Sequence, residues 1–211
     1  MKTIYSLLLG LSLISSQSFA QQFQELNDPK KSNSTGTWTN VTKKNNLSFS
    51  TADFSYSKNI PPAIETIQPT WSQKAWKGEK IHTQLVFWST ENHEKLEITN
   101  STLKDAKGNR IPNEQISISP ITYVITDLPG DLKMGCGISI VLDSALVADR
   151  ISEQKTFSYE KNTTRPLWSS IKIPQSTKSG IYKGTVTIQG KNYKSNVPYQ
   201  IEVLGHEWPQ P

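Results

Sequence analysis

Three histidines, a single cysteine and a scatter of loop aspartates are the residues of this 211-residue chain most able to carry acid–base, nucleophilic or metal chemistry. His82, His93 and His206 lie far apart, and none stands in a ligand spacing such as His-Glu-x-x-His, so no zinc or other metal site is expected. His82 falls in an expected strand, on the face opposite Ile81, Thr83 and Leu85, where a lone histidine is a surface residue. Cys136, in Gly135-Cys-Gly137, has no base and orienting group beside it to make a nucleophile, and reads as a free, unreactive thiol. The same stretch lacks the third glycine of a dinucleotide loop. Asp127, Asp131, Asp143 and Asp149 could supply the paired carboxylates of a glycosidase, but their spacing does not select a pair, and loop acids are ordinarily solvated. No catalytic residue, cofactor or metal is expected from these groups.

Six tryptophans offer a different chemistry, since sugar rings stack on exposed indoles. Trp168 is the candidate ligand-binding residue: alternation with Leu167, Ser169, Ile171 and Ile173 turns it away from the aliphatic face. The competing reading buries it under loops. Five Asn-x-Ser/Thr triplets, at Asn33, Asn40, Asn46, Asn100 and Asn162, carry no weight in a chain so rich in those residues.

The elements that would hold these side chains are strands. Ile81 to Thr90, Leu96 to Leu103, Ile116 to Thr126, Trp168 to Ile173, Tyr182 to Gln189 and Tyr193 to Leu204 are rich in β-branched and aromatic residues, and no segment shows a helical period. Tyr182, Val186 and Ile188 alternate with Lys183, Thr185, Thr187 and Gln189. Gly190-Lys-Asn192 then turns the chain, and Val197, Tyr199, Ile201 and Val203 repeat the inward pattern. This is a hairpin on a half-buried sheet. Pro198 lacks an amide hydrogen, which places its strand at an edge or a bulge. The stretch from Asp127 to Ser158 is expected to loop out or to hold a short helix near Ala145 to Ile151. Many short strands without crossover helices predict an all-β, immunoglobulin-like antiparallel β-sandwich, with a small closed barrel as the alternative.

Residues 1–20 read as a secretory signal, with Lys2, an apolar run from Ile4 to Ile14, and Ser18-Phe19-Ala20 as the cleavage site at Ala20. That run is shorter than the roughly 20 residues of a membrane span. Export to the periplasm or the extracellular space is expected, with no membrane attachment after cleavage. Residues 21–70 form a loop-rich entry segment of the same domain, and residues 71–211 the sandwich. A lone cysteine makes no internal disulfide, so burial must hold the fold. The net charge of +5 is spread among acids and not clustered, which argues against a nucleic-acid partner.

Several stretches occur together and in order: Trp71 with Ala75-Trp-Lys-Gly-Glu-Lys-Ile81 and Gln84, Tyr123-Val-Ile-Thr-Asp127, and Gly135-Cys-Gly137. Leu146-Val-Ala-Asp149, Thr164-Arg-Pro-Leu-Trp168, and Ile173-Pro174 leading to Ser179-Gly-Ile-Tyr-Lys-Gly-Thr185 follow them. The combination resembles the N-terminal domain of glycoside hydrolase family 123, over about residues 70–211. The resemblance implies a sandwich beside a (β/α) barrel, in enzymes similar to β-N-acetylgalactosaminidases. Their substrate-assisted chemistry asks for an Asp-Glu pair on that barrel. No Asp-Glu dipeptide occurs in this sequence, so nothing catalytic is carried over.

The expectation is therefore a non-catalytic accessory domain whose partner is a catalytic barrel encoded elsewhere or lost, with Trp208 at the interface. A free-standing carbohydrate-binding module, with a glycan as partner, is the alternative. An enzyme using acids between Asp127 and Asp149 is the third reading.

Overall fold

Apolar residues that recur at every second position, punctuated by Gly, Pro and Asn turns, fold this chain into strands. The structure is a computed structural model, and it describes residues 23, 25, 26, 38–128 and 143–209. In chain order the strands are β1 (Asn45–Ser50), β2 (Ile67–Gln68), β3 (Trp71–Lys77), β4 (Lys80–Ser89), β5 (His93–Asn100), β6 (Leu103–Lys104) and β7 (Arg110–Ile111). They continue with β8 (Ile116–Leu128), β9 (Asp143–Ile151), β10 (Thr156–Tyr159), β11 (Thr163–Lys172), β12 (Gly180–Gly190) and β13 (Tyr193–Glu207). One sheet runs β2-β1-β4-β11-β8-β9, the other β10-β5-β12-β13-β3 with β6 and β7 at its side. The expected all-β sandwich is what forms. All pairs are antiparallel except β3 with β13, which run parallel from Trp71↔Tyr199 to Ala75↔Val203.

The inner faces supply the core. Leu85, Phe87, Leu167 and Ile171 of the first sheet pack with Leu96, Tyr182, Val186, Ile188 and Ile201 of the second, all buried. Strand β4 is buried on its other face too. There Val86 and Trp88 lie under Trp38 and Tyr56 of the entry segment, a second apolar cluster outside the sandwich. The side chain of Gln84 fastens that segment: its Nε2 donates to the Phe54 carbonyl and its Oε1 accepts from the Phe54 amide, both at 2.9 Å.

Two expectations are corrected. Ala145 to Ile151 is not a helix but part of β9, paired with β8 from Ile121↔Ile151 to Leu128↔Asp143. A run such as Ala-Leu-Val-Ala fits either state, and the partner strand β8 decides it. Much of the stretch thought irregular is therefore strand; residues 129–142 lie outside the described residues. Likewise β13 is an internal strand, not an edge. Thr185, opposite Pro198, gives its amide and carbonyl to Ser101 on the far side, so Pro198 faces away from β12. It also precedes the first β3 partner, Trp71 opposite Tyr199. The missing amide hydrogen costs no ladder bond, and Pro198→Thr should change stability by less than about 1 kcal/mol in thermal unfolding.

The first sheet splits where proline interrupts it. Pairing of β11 with β8 ends at Leu167↔Pro120, next to Pro166, and β8 then turns to β9 with a bulge between Thr122 and Tyr123. Arg165 fills the split. Its Nη1 donates to the Ile121 carbonyl at 2.9 Å, and its guanidinium lies 5.2 Å from the Tyr123 ring centroid. Both of its terminal nitrogens reach the carboxylate of Glu25, Nη2 to Oε2 at 2.9 Å. Glu25 also accepts from the Tyr123 amide at 2.8 Å and from Lys58 Nζ at 3.1 Å. Burial alone would push the Glu25 carboxyl up, but Arg165, the Tyr123 amide and Lys58 together hold it down at about 2. The Tyr123 hydroxyl completes the cluster by reaching the Thr164 carbonyl at 2.9 Å.

Candidate functional site

Both terminal nitrogens of Arg165 and both carboxylate oxygens of Glu25 are taken up inside the clamp, which leaves the exposed groups as those a ligand or partner can reach. Of the six tryptophans, Trp38, Trp71 and Trp88 are core residues, Trp168 is half-buried, and Trp76 and Trp208 are exposed. The exposed two meet. Alternation along β3 puts Ala75 in the core and Trp76 on the outside. Beyond Val203 the β3–β13 register slips before resuming at Glu207↔Lys77, and the Trp208 amide donates to the Lys77 carbonyl at 2.7 Å. This brings the two indoles to 5.4 Å between ring centroids, inclined at 49°.

The turn that carries Trp76 is rigid for identifiable reasons. Gly78 adopts φ 84°, a conformation that disfavours any side chain. The Gly78 amide donates to the Ile173 carbonyl and the Ile173 amide to the Glu79 carbonyl, at 2.9 and 2.8 Å. The Glu79 carboxylate then accepts from the Trp76 amide at 2.7 Å. Trp76 is 36% and Trp208 45% exposed, so a large apolar surface is held out on a stiff support where β13 leaves the sheet. Paired, pre-positioned indoles of this kind are what a protein partner buries well, because little side-chain entropy is lost.

Trp168 stands on the outer face of the first sheet, as alternation in β11 implies, between Gln84 and Ser119 on the flanking strands. One face of its ring is occupied by the His82 imidazole, 5.5 Å away and 28° from parallel. His82 is itself fixed by a 2.8 Å hydrogen bond between Nδ1 and Ser170 Oγ. Trp168 and Trp208 belong to different sheets and do not form a common platform. Trp76, the partner of Trp208, is the site residue that reading the sequence did not single out. The alternation of Trp71, Ala75 and Trp76 would have marked it as outward only if β3 had been recognised.

The remaining candidates are dispersed. His206 and Asp149 are exposed and apart from one another, and no group of three His, Cys, Asp or Glu among the described residues could hold a metal. Ala20, Asp131 and Cys136 lie outside the described residues, as do the side chains of Asp127 and Asp143.

Comparison with known proteins follows the same lines. The chain matches the model of the glycoside hydrolase 123 N-terminal domain over residues 49–190. No curated protein sequence matches it. A family 123 glycoside hydrolase from Clostridium perfringens, studied for glycolipid glycan hydrolysis, shares its fold with a TM-score of 0.63 at 21% identity. That match covers 80% of this chain and 28% of the Clostridium chain, so this sequence spans little more than a quarter of that enzyme's length. The CooA pilin subunit of enterotoxigenic Escherichia coli matches more distantly, with a TM-score of 0.34 at 8% identity over 65% of this chain and 90% of that one.

Proposed function

Because the chain belongs to the glycoside hydrolase 123 N-terminal domain family, we propose that it is a non-catalytic accessory sandwich that docks on the catalytic barrel of a glycosidase. The exposed Trp76–Trp208 pair carries this reading. It lies where β13 ends, on a braced turn, and an aromatic pair in that position suits burial against a neighbouring domain. The resemblance of this family to β-N-acetylgalactosaminidases points to glycans containing N-acetylgalactosamine as the material on which the assembly acts. Export to the periplasm or beyond belongs to the same proposal. The use of Glu25 and Arg165 in a buried structural clamp supports the accessory reading.

The test is association with a family 123 catalytic barrel, followed by calorimetry. The double variant Trp76→Ser, Trp208→Ser should weaken binding at least roughly tenfold, while unfolding midpoints stay close to those of the unmodified chain. Undiminished association would remove the indole pair from the interface. Hydrolysis of a chromogenic N-acetylgalactosaminide by the chain alone would overturn the accessory role.

The half-exposed Trp168, stacked on His82, favours a second reading in which that face receives a sugar ring. Loss of glycan binding on Trp168→Ala would support it.

A further inference from the structure

A cleft of about 1150 Å³ opens at one end of the sandwich, between the β4–β5 turn, the β12–β13 turn and the start of β1. It lies at the Tyr193 end of β13, whereas Trp208 follows the other end of that strand. Three lysines, Lys44, Lys95 and Lys191, and three glutamates, Glu91, Glu94 and Glu97, line it, so its formal charges cancel. Two of the glutamates are already engaged: Glu91 pairs with Lys44 at 2.9 Å, and Glu97 accepts from Gln189 Nε2 at 3.0 Å. Neither an anion nor a cation finds an unbalanced field here.

One wall is a histidine held in a single tautomer. Asn45 Nδ2 donates to Glu91 Oε2 at 3.0 Å, which turns the amide oxygen of Asn45 toward His93 Nε2 at 2.6 Å. An amide oxygen only accepts, so Nε2 bears the proton and Nδ1 keeps a bare lone pair. Burial lowers the His93 pKa more than the charge of Glu91 raises it, which favours the neutral ring. The ring is clasped by Tyr193 at 5.7 Å and Tyr159 at 6.1 Å between centroids, with Phe87 edge-on. Gly190 stands on the Nδ1 side, where a Cβ would come within 3.9 Å of that atom and 3.0 Å of Leu96. The glycine keeps free the space beside Nδ1 that a Cβ pressed against Leu96 and the Lys95 carbonyl would take. Around it the cleft offers the amides of Gln189 and Asn192 and the ring of Tyr193.

We propose that this end cleft binds a neutral polyhydroxylated ligand, an uncharged oligosaccharide, through the His93–Gly190–Tyr193 wall and the amides of the β12–β13 turn. Hydroxyl groups both donate and accept, which is what a charge-balanced lining of amides, carboxylates and one imidazole acceptor can satisfy. The site goes beyond the accessory role and does not depend on it: docking through Trp76 and Trp208 can fail while this cleft binds, and the reverse.

The experiment is a ¹H–¹⁵N NMR titration of the full chain with maltotriose, tri-N-acetylchitotriose and, as an anionic control, sialyllactose. Saturable shifts confined to His93–Lys95 and Gln189–Tyr193 with a neutral trisaccharide are expected. The double variant Gln189→Ala, Asn192→Ala, on side chains outside the core, should weaken that binding roughly tenfold. Absence of saturable shifts in these turns, shifts centred on Trp168 instead, preference for the anionic sugar, or undiminished affinity in the double variant would each overturn the proposal.

Discussion

Arg165→Met should lower stability by about 3–5 kcal/mol, the cost of removing one partner from a buried ion pair. The substitution keeps much of the aliphatic volume but leaves the Ile121 carbonyl without its donor and the Glu25 carboxylate with only Lys58 and the Tyr123 amide. It also empties the place where β8 and β11 part. Chemical denaturation reads the loss directly, and Arg165→Lys should recover only part of it, since a single ammonium cannot replace a fork reaching Glu25 and Ile121 together. The pH dependence gives an independent check. The Glu25 carboxyl is held at about 2 against an ordinary 4.5, so the charged form is favoured by folding. Its contribution, on the order of 3 kcal/mol, is complete above the unfolded value and is lost as pH falls through the folded one. The stability gap between the unmodified chain and Glu25→Gln should therefore be level above about pH 5 and close progressively below it. A gap that ignored pH would show that the carboxylate charge contributes nothing.

Gly184→Ala should cost about 1–3 kcal/mol, the usual penalty for overpacking. A Cβ at this position would stand 2.9 Å from Leu103 Cδ2 and 3.1 Å from two ring carbons of Tyr199. Neither neighbour can easily yield. Leu103 is fully buried, and the Tyr199 hydroxyl is anchored on Asn100 Oδ1 at 2.7 Å. The glycine serves close cross-strand contact with the tyrosine ring opposite it in the β12–β13 register. A double-mutant cycle isolates the contact: Leu103→Ala should be less damaging in the Gly184→Ala background than alone. Simple additivity would mean that the methyl is accommodated elsewhere.

The two sheets were legible where local pattern and tertiary partner agree. Tyr182, Val186 and Ile188, with Gly184 between the first two, and then Val197, Tyr199, Ile201 and Val203 carry the inward alternation, and the turn at Gly190–Asn192 joins them into the hairpin that the structure contains. Trp168 likewise stands on the outer face that alternation gives it. What could not be read depended on partners remote in the chain. Ala145 to Ile151 becomes a strand because Ile121 to Leu128 lies beside it. The position of Pro198 inside a sheet is tolerated because Ser101 takes both polar groups of Thr185. The Glu25–Arg165 pair joins an apparently featureless entry segment to a strand 140 positions away, and no local period encodes it. The same holds for the meeting of Trp76 with Trp208, which requires the parallel pairing of β3 with β13.

That parallel pair has a consequence for the order of events during synthesis. Strand β3 begins at Trp71, yet its one neighbour in the sheet among the described residues starts to pair with it only at Tyr199. Until β13 has been made, β3 has no ladder to join and the hydrophobic side chains of Trp71 and Ala75 have no finished wall to face. Contacts of such long sequence separation are slow to form because the intervening loop must first be closed. Closure of the β3 edge of the second sheet therefore depends on β13 and comes later than the hairpins whose strands are neighbours in the sequence.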